Sequence, residues 1–200
     1  MSAETIAAIA VALGAGWASG LNAYAAVLVL GGAERLGLVS LPHDLQVLAS
    51  PWVLGAAAIL FALNFFADKI PYIDSINDML QTFVRVPAGA LLAYGAAGGL
   101  SPEVAIIAGL LGGTLAAGTH IAKSGSRALI NTSPEPFSNI AASLTEDVTV
   151  IGGLALAIAH PITFLCLLAV FVALLVWLLP KLLRLALIPF RRMAGSRQKP

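Results

Sequence analysis

Apolar residues fill this chain in long blocks, and short polar breaks divide the blocks into the elements of a membrane protein. A helix needs roughly 20 apolar residues to cross the hydrocarbon core. The first block, Thr5 to about Leu30, is long enough. Gly14, Gly16, Gly20, Asn22 and Tyr24 within it predict a helix that is close-packed, tilted or broken near Gly20. A polar turn with Glu34, Arg35, Pro42, His43 and Asp44 follows. The second span is predicted from Pro51, a residue suited to a first helical turn, to about Ala67, where Asp68, Lys69 and Pro71 end it. Pro71 to Val86 alternates polar and apolar positions at helical spacing, which predicts an amphipathic connector or a re-entrant piece with Asp74 and Asp78 on a wetted face. The third span runs from Pro87 to about Leu100, unless it begins near Met79, which would bring Arg85 into the membrane. Ser101, Pro102 and Glu103 read as an N-cap, a first-turn proline and a first-turn acid. They open a fourth span to about Ile121. Ser138 or Asn139 caps a fifth span ending near His160-Pro161, and a last span covers Thr163 to about Leu179, where Pro180 kinks or stops it. The pattern predicts an all-α, polytopic membrane helix bundle of about six spans, with residues 1–180 as a single transmembrane domain and 181–200 as a basic cytoplasmic tail.

Composition agrees with that reading. Hydrophobic residues make up 59% of the chain and charged residues 10%, with mean hydropathy +0.93. An ordinary soluble domain carries about a quarter charged residues. Net charge is +1, so no global field selects nucleic acid as a partner. Cys166 is alone and cannot form an internal disulfide. The start, MSAETIAAIA, lacks the basic region of a cleavable signal peptide, so the first helix is expected to be retained. With six spans and both termini inside, Lys69, Arg85, Lys123, Arg127 and the six cations of the tail all lie on the cytoplasmic side, and only Arg35 of the eleven cations lies outside. The positive-inside bias therefore predicts a multi-pass protein of the inner cell membrane with both termini cytoplasmic.

Ala7–Gly20 (AAIAVALGAGWASG) aligned on Ala105–Gly118 (AIIAGLLGGTLAAG) matches at seven of fourteen positions. Counting spans, the two copies would cross in opposite directions. That is the 3+3 inverted repeat with broken or re-entrant helices on which many transporters build a site.

The polar island from Lys123 to Asp147 carries the candidate chemistry. Lys123 and Arg127 are four residues apart and share a helix face, with Ser124 and Ser126 beside them. Two cations with hydroxyls make a grip for phosphate or carboxylate. Arg85 and Lys69 are candidate further cations for it, and Asn131, Ser133 and Asn139 are candidate hydrogen-bonding groups. Glu146 and Asp147 stand about two turns into the predicted fifth span, where an ionised carboxylate costs several kcal/mol unless paired, protonated or hydrated. They are the first candidates for proton or ion coupling, with Asp68 and His120 after them. No motif for a metal, a cofactor or an enzyme nucleophile is present, so neither catalysis nor a cofactor is expected.

The strings FFADKIPYIDSINDMLQTFVRVPAGALLA, AGTHIAKSGSRALINTSPEPFSNI and SLTED resemble a family of small, mainly bacterial integral membrane proteins, catalogued as domain of unknown function four-one-two-six. The resemblance implies one multi-spanning domain over nearly the whole chain and brings no activity with it. The residues themselves lead to two expectations. One is a transporter or flippase-like protein for a small anionic or phosphate-bearing substrate, proton-coupled. The alternative is a non-catalytic membrane subunit that packs on partner membrane proteins, holds anionic lipid with its tail, or forms a homo-oligomer in the lipid bilayer.

Overall fold

The computed structural model describes residues 2–70, 73–131 and 136–195, and the side chains of all of these except Ser75, Pro136, Leu179 and 182–195. Six α-helices and one 3-10 turn account for the described fold: α1 Ala3–Arg35, the turn His43–Ala49, α2 Pro51–Ala67, α3 Ile73–Ala96, α4 Pro102–Ile130, α5 Pro136–Ala159 and α6 Pro161–Gly195. Ser2 and Ser101 cap α1 and α4, each accepting from the backbone N–H three residues on. Four segments are long and apolar enough to cross a membrane: Ala3–Arg35, Pro102–Ile130, Phe137–Ala159 and Pro161–Leu178. The turn and α2, bent by 64°, make a fifth if counted as one span.

Several boundaries differ from the expected ones. The predicted connector and third span form one helix, α3, with Pro87 in its interior. Its polar face is dry rather than wetted. Asp74, Asp78 and Arg85 are 1%, 2% and 1% exposed, whereas Phe83 is 79% exposed and Ile76, Met79 and Leu80 also point outward. α3 is thus an inside-out amphipathic helix, with charge toward the bundle and apolar side chains toward lipid. α4 runs on past Ile121 to Ile130, so Lys123 and Arg127 stand on a helix and not on a loop. α5 begins at Pro136, before either expected cap, and α6 continues past Pro180 to Gly195.

Asn22 divides α1. Its backbone is extended (φ −156°, ψ 99°) between two helical arms. In the first arm, Gly14, Trp17 and Asn22 meet Ala157, Gly153 and Asp147 of α5 in turn. In the second arm, Leu28, Val29, Gly32 and Ala33 lie against Ala155, Ile158 and Ala159. Both arms therefore lead from the Asp147 level toward the Ala159 end of α5, and the chain doubles back at Asn22. Asn22 caps the second arm itself, its Oδ1 accepting from Ala25 N at 3.1 Å.

This reversal overturns the inverted arrangement expected for the two similar segments. They lie side by side and run the same way: Leu13 and Leu111 line one groove, Gly16 meets Gly112, and Gly20 meets Ala116. The extra leg inserted at Asn22 changes the parity of every later helix. It also separates the chain ends. α6 tracks the first arm of α1 in the same direction, with Phe164 against Gly14 and Phe171 against Trp17, so Ala3 and Lys181 stand at opposite ends of the bundle. Two termini on one side, expected from six alternating spans, do not fit that geometry.

Small residues make the core. Ala10, Ala15, Ala18, Ala26, Ala93 and Ala116 are fully buried. A Cβ on Gly16 would lie 2.5 Å from Gly112 Cα, so the first arm of α1 and α4 touch through their backbones. Large apolar side chains such as Trp52, Leu110, Val148 and Val176 are exposed around the outside, as a lipid environment requires.

Candidate functional site: a buried ionic centre

The C-terminal end of α2, the N-terminal halves of α3 and α5, the C-terminal half of α4 and the tip of α1 converge at one end of the bundle. α3 delivers Asp74, Asp78, Gln81, Thr82 and Arg85 from a single stripe, because residues three and four apart share a helix face. α4 delivers His120, Lys123 and Arg127 by the same spacing.

Lys123 is the hub. Its Nζ lies 2.8 Å from Asp68 Oδ2, 3.2 Å from Glu146 Oε2 and 3.5 Å from Asp78 Oδ1, and it donates to the Leu21 carbonyl at 3.4 Å. That carbonyl is at the end of the first arm of α1, where the helix leaves its last C=O groups unpaired. Arg127 grips Glu146 side-on, Nε to Oε1 at 3.1 Å and NH2 to Oε2 at 2.9 Å. Its NH1 donates to Asp68 O, Asn139 O and Asn139 Oδ1. Arg85 pairs with Asp78 at 2.9 Å and donates to Asn64 Oδ1. Its NH1 also lies 3.2 Å from His120 Nδ1. A guanidinium has only donors, so Nδ1 accepts; Nε2 then carries the proton and faces Thr82 Oγ1 at 2.6 Å. In this arrangement His120 is neutral.

Amides close the periphery. Asn77 donates to Asn64 Oδ1 and Asp68 Oδ1, Asn131 to both oxygens of Asp74, and Asn139 Nδ2 to Asn131 Oδ1. Ser124 Oγ stands 3.5 Å from Asp78 Oδ2. Lys69 sits over the Phe65 ring and donates to Ser143 Oγ at 3.3 Å. Burial lowers its pKa, although Asp147 and Asp68 nearby favour the ammonium. Burial pushes the Asp68 carboxyl up, but the Lys123 charge and hydrogen bond outweigh it and hold Asp68 below the usual carboxylate range. Asp147 stands apart: Asn22 Nδ2 donates to its Oδ1 at 3.0 Å, and its buried Oδ2 has no hydrogen-bond partner among the described residues.

Of the residues singled out from the sequence, Lys69, Arg85, Lys123, Ser124, Arg127, Asn131, Asn139, Asp68, His120, Glu146 and Asp147 all meet at this end. Ser133 lies outside the described residues. Asp78, Asn22, Asn64 and Asn77 are members that the sequence reading did not assign to the site. The spacing of Asp74, Asp78 and Arg85 along one face was the available signal for α3. Among the described residues, no group of His, Cys, Asp and Glu is arranged to hold a metal ion.

An all-helical membrane bundle organised around a buried, nearly charge-balanced ionic centre is the class that this fold and site define. The family model described as a domain of unknown function (DUF4126) matches residues 9–181, and the chain belongs to that family. No curated protein and no solved structure matches the chain.

Proposed function

We propose that the protein is a proton-coupled membrane transporter for a small anionic or phosphate-bearing substrate, and that Glu146 is the exchange point. One observation carries the reading: Glu146 is shared by Lys123 and Arg127 and is the most accessible member of the ion-paired core, its side chain 14% exposed against 1% for both cations. While Glu146 is ionised, the two cations have no capacity for an external anion. Protonation removes its charge, and an anion can then take its place on the Arg127 fork and the Lys123 ammonium. Proton and anion enter together, so the buried charge stays constant. The broken α1, with a carbonyl end on Lys123 and a capped start beside Asp147, is the kind of discontinuous helix that transporters use at their sites.

The test uses purified protein in liposomes with an entrapped pH dye. Inorganic phosphate or succinate added outside should acidify the lumen, and Glu146→Gln should abolish that acidification. No pH change with wild-type protein, or the wild-type rate with Glu146→Gln, rejects the reading. Fluorescent phosphatidylglycerol in the same liposomes separates a lipid-borne phosphate from a free one.

The inner-membrane placement follows from the positive-inside rule, with Lys69, Lys123, Arg127 and Lys181 marking the cytoplasmic end. The Ala3 end of α1 then faces the opposite side. Membrane-impermeant thiol labelling of Ala3→Cys in intact cells should succeed in a Cys166→Ala background; protection of that cysteine together with labelling at Lys181→Cys would reverse the orientation.

The second reading is a non-catalytic subunit that packs on a membrane partner. It is favoured by the fact that Arg85, Lys123 and Arg127 all face carboxylates of the chain itself. A stoichiometric co-purifying membrane protein, with no anion-driven proton movement, is the outcome that it expects.

A further inference from the structure

We infer that the substrate held at Glu146 is a phospholipid. Its phosphate takes the place of the Glu146 carboxylate on Arg127 and Lys123, and one acyl chain lies in the groove that α5 and α6 form over Trp17. The inference rests on the transport reading and narrows its substrate from any small anion to a lipid-borne phosphate.

Glu146, Thr149, Gly153 and Leu156 follow one another at intervals of three, four and three residues and so share a face of α5. Beyond Glu146 this face borders an open groove of about 370 Å³, the scale of a ligand pocket (roughly 300–1,000 Å³). Trp17 of α1 is its floor, and Leu167 and Phe171 of α6 are its far wall. Thr149 turns its hydroxyl back onto the Thr145 carbonyl at 2.6 Å, and nothing stands within 4 Å of a Cβ built on Gly152. The groove therefore offers apolar surface and room but no charge, which suits a hydrocarbon chain and not a free anion. The charge sits at its end, where Arg127 and Lys123 share Glu146 Oε2 at 2.9 Å and 3.2 Å.

The dimensions fit one leaflet. From Glu146 to Leu156 the stripe is about 15 Å long, half of a hydrocarbon core of roughly 30 Å. A chain hung from a phosphate at Glu146 thus runs from its head group to the middle of the bilayer. The head-group level is marked on α6. Trp177 is exposed and carries the Lys181 ammonium over its ring, as suits a residue at the membrane–water interface. Phe171 of α6 and Gly153 of α5 both meet Trp17, and from that level Trp177 lies about 9 Å and Glu146 about 10 Å toward the same end. The cations are thus at the depth of phospholipid phosphates. A tail that leaves the bilayer for the groove exchanges one apolar setting for another, so the head group supplies the selectivity.

Trp17 reports on the groove once Trp52→Phe and Trp177→Phe make it the one tryptophan of the chain. The full-length protein, with Glu146→Gln to free the cations, is reconstituted in phosphatidylcholine vesicles. These contain a minor fraction of either phosphatidylglycerol or phosphatidylcholine brominated in mid-chain. At equal mole fraction, brominated phosphatidylglycerol should quench Trp17 at least about threefold more strongly, because each basic side chain near the surface favours an anionic lipid. Gly152→Phe, which fills the groove, should bring that quenching down to the phosphatidylcholine level. Gly55→Phe, at an equally open glycine on α2, should leave it unchanged. Equal quenching by the two lipids overturns the inference. So does a preference that Gly152→Phe leaves intact, since attraction by the basic tail alone would survive that change. Should Gly152→Phe not fold, Thr149→Phe fills the groove one turn nearer Glu146 and is held to the same outcomes. Phosphate-driven acidification without a lipid preference rejects the lipid site alone; a lipid preference without acidification supports the lipid site and rejects the transport reading alone.

Discussion

Arg127→Ala is expected to cost about 3–5 kcal/mol, the range for removing one partner of a buried ion pair, and to lower the melting midpoint of the detergent-purified protein by about 10 °C. The reason is the number of elements that meet on this side chain. One guanidinium holds the Glu146 carboxylate of α5 by two bonds, the Asn139 amide and carbonyl at the start of α5, and the Asp68 carbonyl at the end of α2. Alanine leaves Glu146 to Lys123 alone and removes the donor from two buried carbonyls. Arg127→Lys keeps the charge but loses the planar fork, so an intermediate loss is expected. Arg127→Met combined with Glu146→Leu should recover much of the stability, because an apolar pair has no desolvation penalty. Dye-monitored thermal melts of the four proteins check the series. A drop of less than about 2 °C for Arg127→Ala would mean that the pair behaves as a solvent-screened one.

Gly20→Val is expected to prevent recovery of monodisperse protein or to destabilise it by 3 kcal/mol or more, above the usual ~1–3 kcal/mol for overpacking. A Cβ on Gly20 would collide with the Ala116 carbonyl, and it would lie 2.7 Å from Thr119 Cβ. Backbone and helix-borne Cβ atoms cannot rotate away, so α1 and α4 must separate, and both carry members of the ionic centre. Gly55→Ala is the contrast: nothing lies within 4 Å of the added methyl, and the helix gains propensity. It should leave the melting midpoint unchanged or slightly raised. Size-exclusion profiles and melts of the two variants decide the matter; equal behaviour would refute the close-contact account of the α1–α4 seam.

Most of the helices were legible because composition and punctuation agree. Pro51, Ser101-Pro102 and His160-Pro161 mark helix boundaries where they were expected. The ionic centre was half legible. A dense polar island between apolar blocks drew attention to Lys123, Arg127, Glu146 and Asp147, and these residues do converge. Asp74 and Asp78 were misread as wetted because periodicity reports that a helix has two faces, not which face turns inward; the decision comes from partners on α4. The break in α1 falls at Asn22, close to the expected Gly20, but the reversal of direction there was not legible. A single extended residue reverses the chain there, and the apolar pattern continues on both sides of it. Once that reversal is missed, the sense of the repeat and the side of each terminus follow wrongly.

α3 also constrains how the protein is made. A helix whose apolar face looks outward and whose acids look inward enters the bilayer alone at a cost, since Arg85 supplies one cation against Asp74 and Asp78 before Lys123 has been synthesised. Biogenesis must hold α3 in a sheltered setting, at the ribosome-bound insertion machinery or against the earlier α1 hairpin, until α4 emerges with Lys123 and Arg127. A nascent chain halted after α3 is then an unstable intermediate, and the loop from Ala96 to Pro102 is the interval in which quality control has its best opportunity to act.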